Sequence, residues 1–207
     1  LEKYLLHDSQ SARELEGRTM TRTGGMISAV QKGVSRKSGK PYAMVTLEDL
    51  KGSMSLLCLN ENYDKYQHLL EVGKAIVVIG EVNNDEGTPK LFPQEILPLD
   101  DAPRRFTEQV HLRLFTAHLT TEKLEALRDL VAAHRGSCPL WLCLRMPDGA
   151  AVFIETHQNF CVTPSLALQR AVDEMFGEDT YFVKVDQRLP ERQRLWGRRN
   201  GNGQNGE

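Results

Sequence analysis

The sequence predicts two units of different fold class, an all-β barrel followed by an α+β unit, and three observations carry that reading. Short segments of alternating hydrophobicity, bounded by glycine and charged turns, fill residues 24–97. Helical periodicity dominates two stretches beyond residue 107, and Pro98 and Pro103, set among charges of both signs, separate the two regimes. The expected class is therefore β plus α+β: a five-stranded barrel, a small βαββαβ domain, and a tail. Boundaries fall at 1–20 for the end of an upstream helical region, 21–98 for the barrel and 99–106 for a linker. The α+β domain takes 107–186, and 187–207 is an Arg/Gly/Asn-rich tail with almost nothing to bury, expected to be disordered.

In order, residues 25–30 open a strand, the polar run Ser35-Arg36-Lys37-Ser38-Gly39-Lys40 makes a hairpin loop, and residues 42–47 form the second strand. Lys51-Gly52 turns the chain into a third strand, 53–59. The period then changes: Tyr63, Tyr66, Leu69 and Leu70 share one face of a helix over 61–71 that Gly73 ends. Strands 75–82 and 90–96 follow, joined by Asn83-Asn84-Asp85-Glu86-Gly87. Three strands, a helix and two strands is the order of the OB fold, which binds oligonucleotides across its second and third strands and adjoining loops.

In the second domain, residues 111–115 read as a strand, and Thr120 or Thr121 caps a helix with an apolar stripe of Leu124, Leu127, Leu130 and Val131. Residues 140–146 and 151–156 pair about a Pro147-Asp148-Gly149 turn. Thr163-Pro164 starts a second helix whose buried face is Leu168, Val172, Met175 and Phe176; Gly177 ends it, and 180–185 closes as a strand. That order matches a split βαβ arrangement.

The 26 Lys and Arg against 28 Asp and Glu leave a net charge of −2, which argues against a nucleic-acid binder until it is resolved by position. Between residues 20 and 42 the cations Arg22, Lys32, Arg36, Lys37 and Lys40 occur without one acid. Such a block beside the binding face meets phosphates and releases counterions, giving salt-sensitive affinity. Tyr42, Met44 and Thr46 on the second strand complete the candidate set, with the Tyr42 ring a surface for a base to stack on. A merely solvated, Lys-rich hairpin is the alternative, and the acidic Asp85-Glu86 loop at the other end of the face limits the expected affinity.

Metal and catalytic readings are weaker. His134, Cys138, Cys143, His157 and Cys161 lack the short paired spacings of structural zinc, and no metal is expected. There is no Walker loop or nucleophile elbow, and the adjacent acids Glu48 and Asp49 point to opposite sides of a strand, so no catalytic set is expected. No apolar run reaches the roughly 18 residues that span a bilayer, and the opening residues lack a signal-peptide pattern. With four unpaired-looking cysteines this fits a cytoplasmic chain with no membrane partner. A first residue of Leu1, within what reads as a helix, suggests a piece of a longer protein.

Gly25-x-Ile27-x-x-Val30, the basic hairpin ending Gly39-Lys40-Pro41, and above all Val45-Thr46-Leu47-Glu48-Asp49-x-x-Gly52-Ser53 resemble the OB domain of the alpha subunit of bacterial DNA polymerase III. Tyr63-x-x-Tyr66, Gly73-Lys74, the Arg145-Met146-Pro147-Asp148-Gly149 hairpin and Val162-Thr163-Pro164-Ser165 extend the resemblance over most of residues 1–186. It implies a C-terminal piece of a DNA-directed DNA polymerase whose catalytic carboxylates and Mg2+ lie elsewhere, so this piece itself carries no cofactor. Its OB domain would bind single-stranded template DNA, and its C-terminal domain would contact the clamp-loader tau subunit. Gln193, Leu195 and Trp196 are similar to a short peptide that holds the sliding clamp. A different class stays open: a stand-alone or synthetase-type OB module that binds RNA or a protein partner.

Overall fold

A computed structural model describes residues 2–84 and 89–191 of the chain. The strands β1 (Arg18–Val34), β2 (Pro41–Asp49) and β3 (Gly52–Leu59) are followed by helix α1 (Asn60–Tyr66) and by β4 (Ala75–Asn83) and β5 (Lys90–Pro98). They form a closed barrel in the order β1-β2-β3-β5-β4, the narrowest seam being the parallel pairing of Ser55 with Lys90 and Leu56 with Leu91. The fold order expected for an OB barrel is thus present.

β1 is much longer than the six-residue segment expected, because it serves two neighbours. Its first half pairs with β4, from Arg18 opposite Asn83 to Met26 opposite Ala75. Its second half pairs with β2, from Met26 opposite Glu48 to Val34 opposite Pro41, with a bulge between Ile27 and Ala29 where the strand changes partners. Gly25 sits at this crossing, and a Cβ there would strike the Glu48 carbonyl. The polar stretch Arg18–Thr23 hides this half of the strand from a hydrophobicity reading.

Alternation on the strands fills the barrel with Ile27, Ala43, Val45, Leu47, Met54, Leu56 and Cys58. α1 closes the bottom with Tyr63 and Tyr66, and Leu70 follows in the turns after it. The helix ends at Tyr66, earlier than expected; Gly73, at φ 87°, instead turns the chain so that its N–H donates to the Ile27 carbonyl.

Residues 2–17, expected as the end of an upstream helical region, contain no α-helix. They form two short 3-10 turns, Glu2–Tyr4 and Ser11–Glu14, laid on the barrel. Ala12 is fully buried in the barrel core, and the Ser9 N–H and hydroxyl both donate to the Asp49 carboxylate at 2.6 Å. Asp49 also accepts from the Lys51 and Gly52 amides, so this carboxylate fastens the arm and shapes the β2–β3 turn together.

The stretch 99–106, expected as a linker, is ordered: a 3-10 turn at Leu99–Asp101 runs into α2 (Ala102–Phe106), with Ala102 and Phe106 buried. The apolar residues that charge and proline obscure there join Tyr4, Val77, Ile79 and Leu97 in a core between the two domains, lined also by Val183, Val185 and Leu189.

The second domain runs β6 (Thr107–Phe115), α3 (Thr121–Ala133), β7 (Arg135–Cys138), β8 (Leu140–Arg145), β9 (Ala151–Glu155), α4 (Leu166–Phe176) and β10 (Tyr181–Val185). Its four-stranded sheet has the order β10-β6-β8-β9, with β6 and β8 parallel. This corrects the split arrangement: β8 lies directly beside β6, with no strand inserted between them. Thr120 caps α3 by accepting from the Lys123 amide, and Leu127 and Val131 face the core while Leu124 is 45% exposed, off the expected stripe. α4 starts two residues later than expected because Ser165 is the cap, accepting from the Leu168 amide; the Thr163 hydroxyl donates instead to the Arg135 carbonyl.

Candidate nucleic-acid interface

The outer face of β1, β2 and β3 is set by strand register. Tyr42, Met44, Thr46 and Glu48 of β2 lie opposite Leu59, Leu57, Ser55 and Ser53 of β3. On the other side they meet Gly33, Gln31, Ala29 and Met26 of β1. Their neighbours along the chain, Ala43, Val45, Leu47, Leu56 and Cys58, are buried, so strand alternation puts this entire set outside. Among the described residues of these three strand faces Glu48, at one end, is the single charge, and the hairpin loop lies at the other end.

Tyr42 holds the central position at the basic end. Gly33 lies opposite it, and a Cβ on Gly33 would come within 2.8 Å of the phenol ring. The ring therefore lies across the bare backbone of β1, braced on one side, while the residue remains partly exposed. A flat ring supported in this way is suited to a stacked base. Met44, 43% exposed, continues the row beside Leu57.

The hairpin is a formed turn. The Ser35 amide donates to the Lys40 carbonyl, the Gly39 amide donates to the Ser35 carbonyl, and Gly39 has a φ of 66°. Arg36, Lys37 and Lys40 are exposed and have no carboxylate partner among the described residues. Three cations are thus presented next to Tyr42 with their full charge available to phosphate.

Two of the sequence-predicted residues take other places. Lys32 is exposed but pairs with Ala43, so strand alternation puts it on the side of the sheet opposite Tyr42. Arg22 is a correction: it is 1% exposed, and its guanidinium donates to the carbonyls of Tyr4 at 2.6 Å and Asp186 at 2.7 Å. It also lies 4.1 Å from the centre of the Phe106 ring. β1 carries Arg22 to the wall facing the second domain, so it joins the two domains and does not reach the binding face. The reading of the Asp85-Glu86 loop, and the clamp-peptide reading of Gln193, Leu195 and Trp196, concern residues outside those described.

The face also includes residues that sequence reasoning passed over, namely Gln31, Gly33, Ser55, Leu57 and Leu59. Strict alternation in β3 was the available signal, and a glycine inside a strand was the signal for Gly33. No group of three or more His, Cys, Asp or Glu able to hold a metal occurs among the described residues. Cys138 lies in the core of the second domain and Cys143 on the other side of its sheet, and burial pushes the Cys58 thiol up to about 12 and the Cys138 thiol up to about 11. No helix of the described residues is long and apolar enough to cross a membrane.

A five-stranded barrel in the order β1-β2-β3-β5-β4, with a helix after its third strand, is an OB fold, and the tRNA anti-codon family model, described as an OB-fold nucleic acid binding domain, matches residues 21–99. Beyond the barrel, the chain is similar to a segment of the DNA polymerase III subunit alpha. It is 30% identical over 162 residues to that subunit of Pseudomonas fluorescens, covering 77% of this chain and 14% of the relative. To the Escherichia coli K12 subunit it is 27% identical over 173 residues, covering 82% of this chain and 15% of the relative. The chain therefore spans about a seventh of the length of the curated relatives it matches. The resemblance read from the 45–53 block extends through both domains. Among solved structures, an OBody bound to hen egg-white lysozyme aligns with 46% of this chain and 91% of its own, at 19% identity and a TM-score of 0.38.

Proposed function

We propose that this chain is the C-terminal part of a replicative DNA polymerase alpha subunit and that its barrel holds single-stranded template DNA. Bases stack on Tyr42 and slide over Met44 and Leu57, while Arg36, Lys37 and Lys40 meet the phosphates. The observation that carries this reading is the Tyr42 ring seated on Gly33 at the end of the strand that leaves the hairpin, whose three cations have no carboxylate partner among the described residues. Neutral side chains along the rest of the face make the contact tolerant of sequence, as a template grip requires. The polymerase reaction and its Mg2+ belong to the remainder of such a subunit. In this reading the second domain contacts the clamp-loader tau subunit, and Gln193, Leu195 and Trp196 are a further contact to the sliding clamp.

The test is a fluorescence-anisotropy titration of labelled oligo-dT with the whole chain at several salt concentrations. Replacing Arg36, Lys37 and Lys40 together by Ala weakens binding and lowers the slope of log K against log salt by about 2, at roughly 0.7 per phosphate contact on a single strand. Absence of binding at low salt, or a slope unchanged by the triple replacement, overturns the proposal. Pull-down of purified tau by the chain, lost on deleting residues 107–191, tests the second domain.

A further inference from the structure

The helices α3 and α4 pack on one side of the second domain's sheet, where Val110, Leu112, Leu114 and Leu140 meet Leu127, Val131, Leu168 and Val172. The residues between them in sequence therefore face the other side, and register sets them next to one another. His111 lies between Trp141 and Phe182, Phe115 beside Arg145, and Arg113 beside Cys143, which in turn lies beside Phe153.

This face is built from rings and guanidinium groups. Arg113 lies 3.5 Å from the centre of the Phe182 ring, and Arg145 lies 5.4 Å from that of Phe115. His111 and Trp141 stack with centroids 5.9 Å apart and planes 18° apart. Burial, followed by the nearby Lys184 and Arg113, pushes His111 below its usual range, which leaves it a neutral ring at pH 7. Phe153 is 63% and Phe115 53% exposed. Neither Arg113 nor Arg145 has a carboxylate partner among the described residues; Glu155 lies at the end of β9 on this side, and Glu108 pairs with Lys184 at 3.1 Å.

We propose that this sheet face is a second binding surface for single-stranded nucleic acid, with bases stacked on Phe115 and Phe153 and phosphates held by Arg113 and Arg145. A four-stranded sheet with helices behind it and rings in front is a known solution to stacking unpaired bases. The charge decides between occupants. A second copy would set these arginines against their own kind, and an apolar partner would bury them without a counter-charge. A phosphate backbone supplies that counter-charge and the bases supply the stacking faces. The inference uses none of the barrel residues and stands apart from the template reading.

Trp141 reports on the face directly. The chain has 2 tryptophans, so Trp196→Phe leaves Trp141 as the single tryptophan, read with excitation at the red edge where tyrosine does not absorb. Titration of the Trp196→Phe chain with oligo-dT at low salt is expected to quench Trp141. In the additional presence of Arg36→Ala, Lys37→Ala and Lys40→Ala the quench at saturation persists. Adding Phe115→Ala and Phe153→Ala instead raises the midpoint by about fivefold or more. Arg113→Glu with Arg145→Glu, which keeps every ring of the face, abolishes the quench and controls for misfolding of the double Phe variant. A Trp141 signal unmoved by saturating oligo-dT overturns the proposal, as does a quench that the hairpin replacements remove and the sheet-face replacements leave intact. A face that is unquenched by oligonucleotide yet covered by a protein partner is a protein-docking surface, and the proposal then fails.

Discussion

Two single side chains set the terms of the account. Tyr42 has its orientation imposed by Gly33, because any side chain there would occupy the space of its ring. Tyr42→Ala is expected to weaken oligo-dT binding by roughly 5- to 150-fold while leaving the fold intact, since one stacked base is worth about 1–3 kcal/mol; Tyr42→Phe keeps the ring and most of the affinity. Asp49 shows the opposite case, an acid whose work is structural. Burial opposes its ionisation, but the bonds from Ser9, Lys51 and Gly52 outweigh burial and hold its carboxyl below the usual range. A carboxyl lowered in the folded state contributes stability at pH values above its unfolded value, about 3.9, and loses it as pH falls through the folded one. Asp49→Ala is therefore expected to cost about 1–3 kcal/mol at neutral pH, and urea titrations should show that difference shrinking below about pH 4.

At the scale of elements, the hairpin and the barrel strands were legible because alternation and turn chemistry act locally. Residues 42–47 and 53–59 lie within β2 and β3, and Ser35 to Lys40 is the turn between β1 and β2. What sequence did not reveal depends on partners far along the chain. The length of β1 follows from β4, whose partners lie roughly 50 to 65 residues along the chain, and the order in 99–106 follows from a core that Phe106 shares with Tyr4 and Val183. Arg22 was misread for the same reason: its position in a basic block is a local fact, whereas its burial is decided by Tyr4, Phe106 and Asp186. Likewise Thr163 looked like a helix start until the Arg135 carbonyl claimed its hydroxyl and left the cap to Ser165.

At the scale of the whole molecule, the two domains meet through a shared apolar core with Arg22 as its polar tie. Arg22→Ala removes a buried cation and leaves two carbonyls without their donor, which is expected to cost about 2–4 kcal/mol. Because Arg22 is remote from the β2–β3 face, oligo-dT affinity measured well below the melting temperature should change less than twofold. A large loss of affinity with unchanged stability would return Arg22 to the interface. The net charge of −2 averages over this arrangement, hiding three hairpin cations and two sheet-face arginines that have no carboxylate partner among the described residues. The central claim, that single-stranded DNA lies on the outer face of β2 and β3, is tested most directly by photocrosslinking. A bromodeoxyuridine-substituted oligonucleotide is irradiated with the whole chain and the adducts are located by mass spectrometry. The account predicts adducts at Tyr42 and at Met44 or Leu57; a crosslinked chain with no adduct on β2, β3 or the 35–40 loop would contradict it.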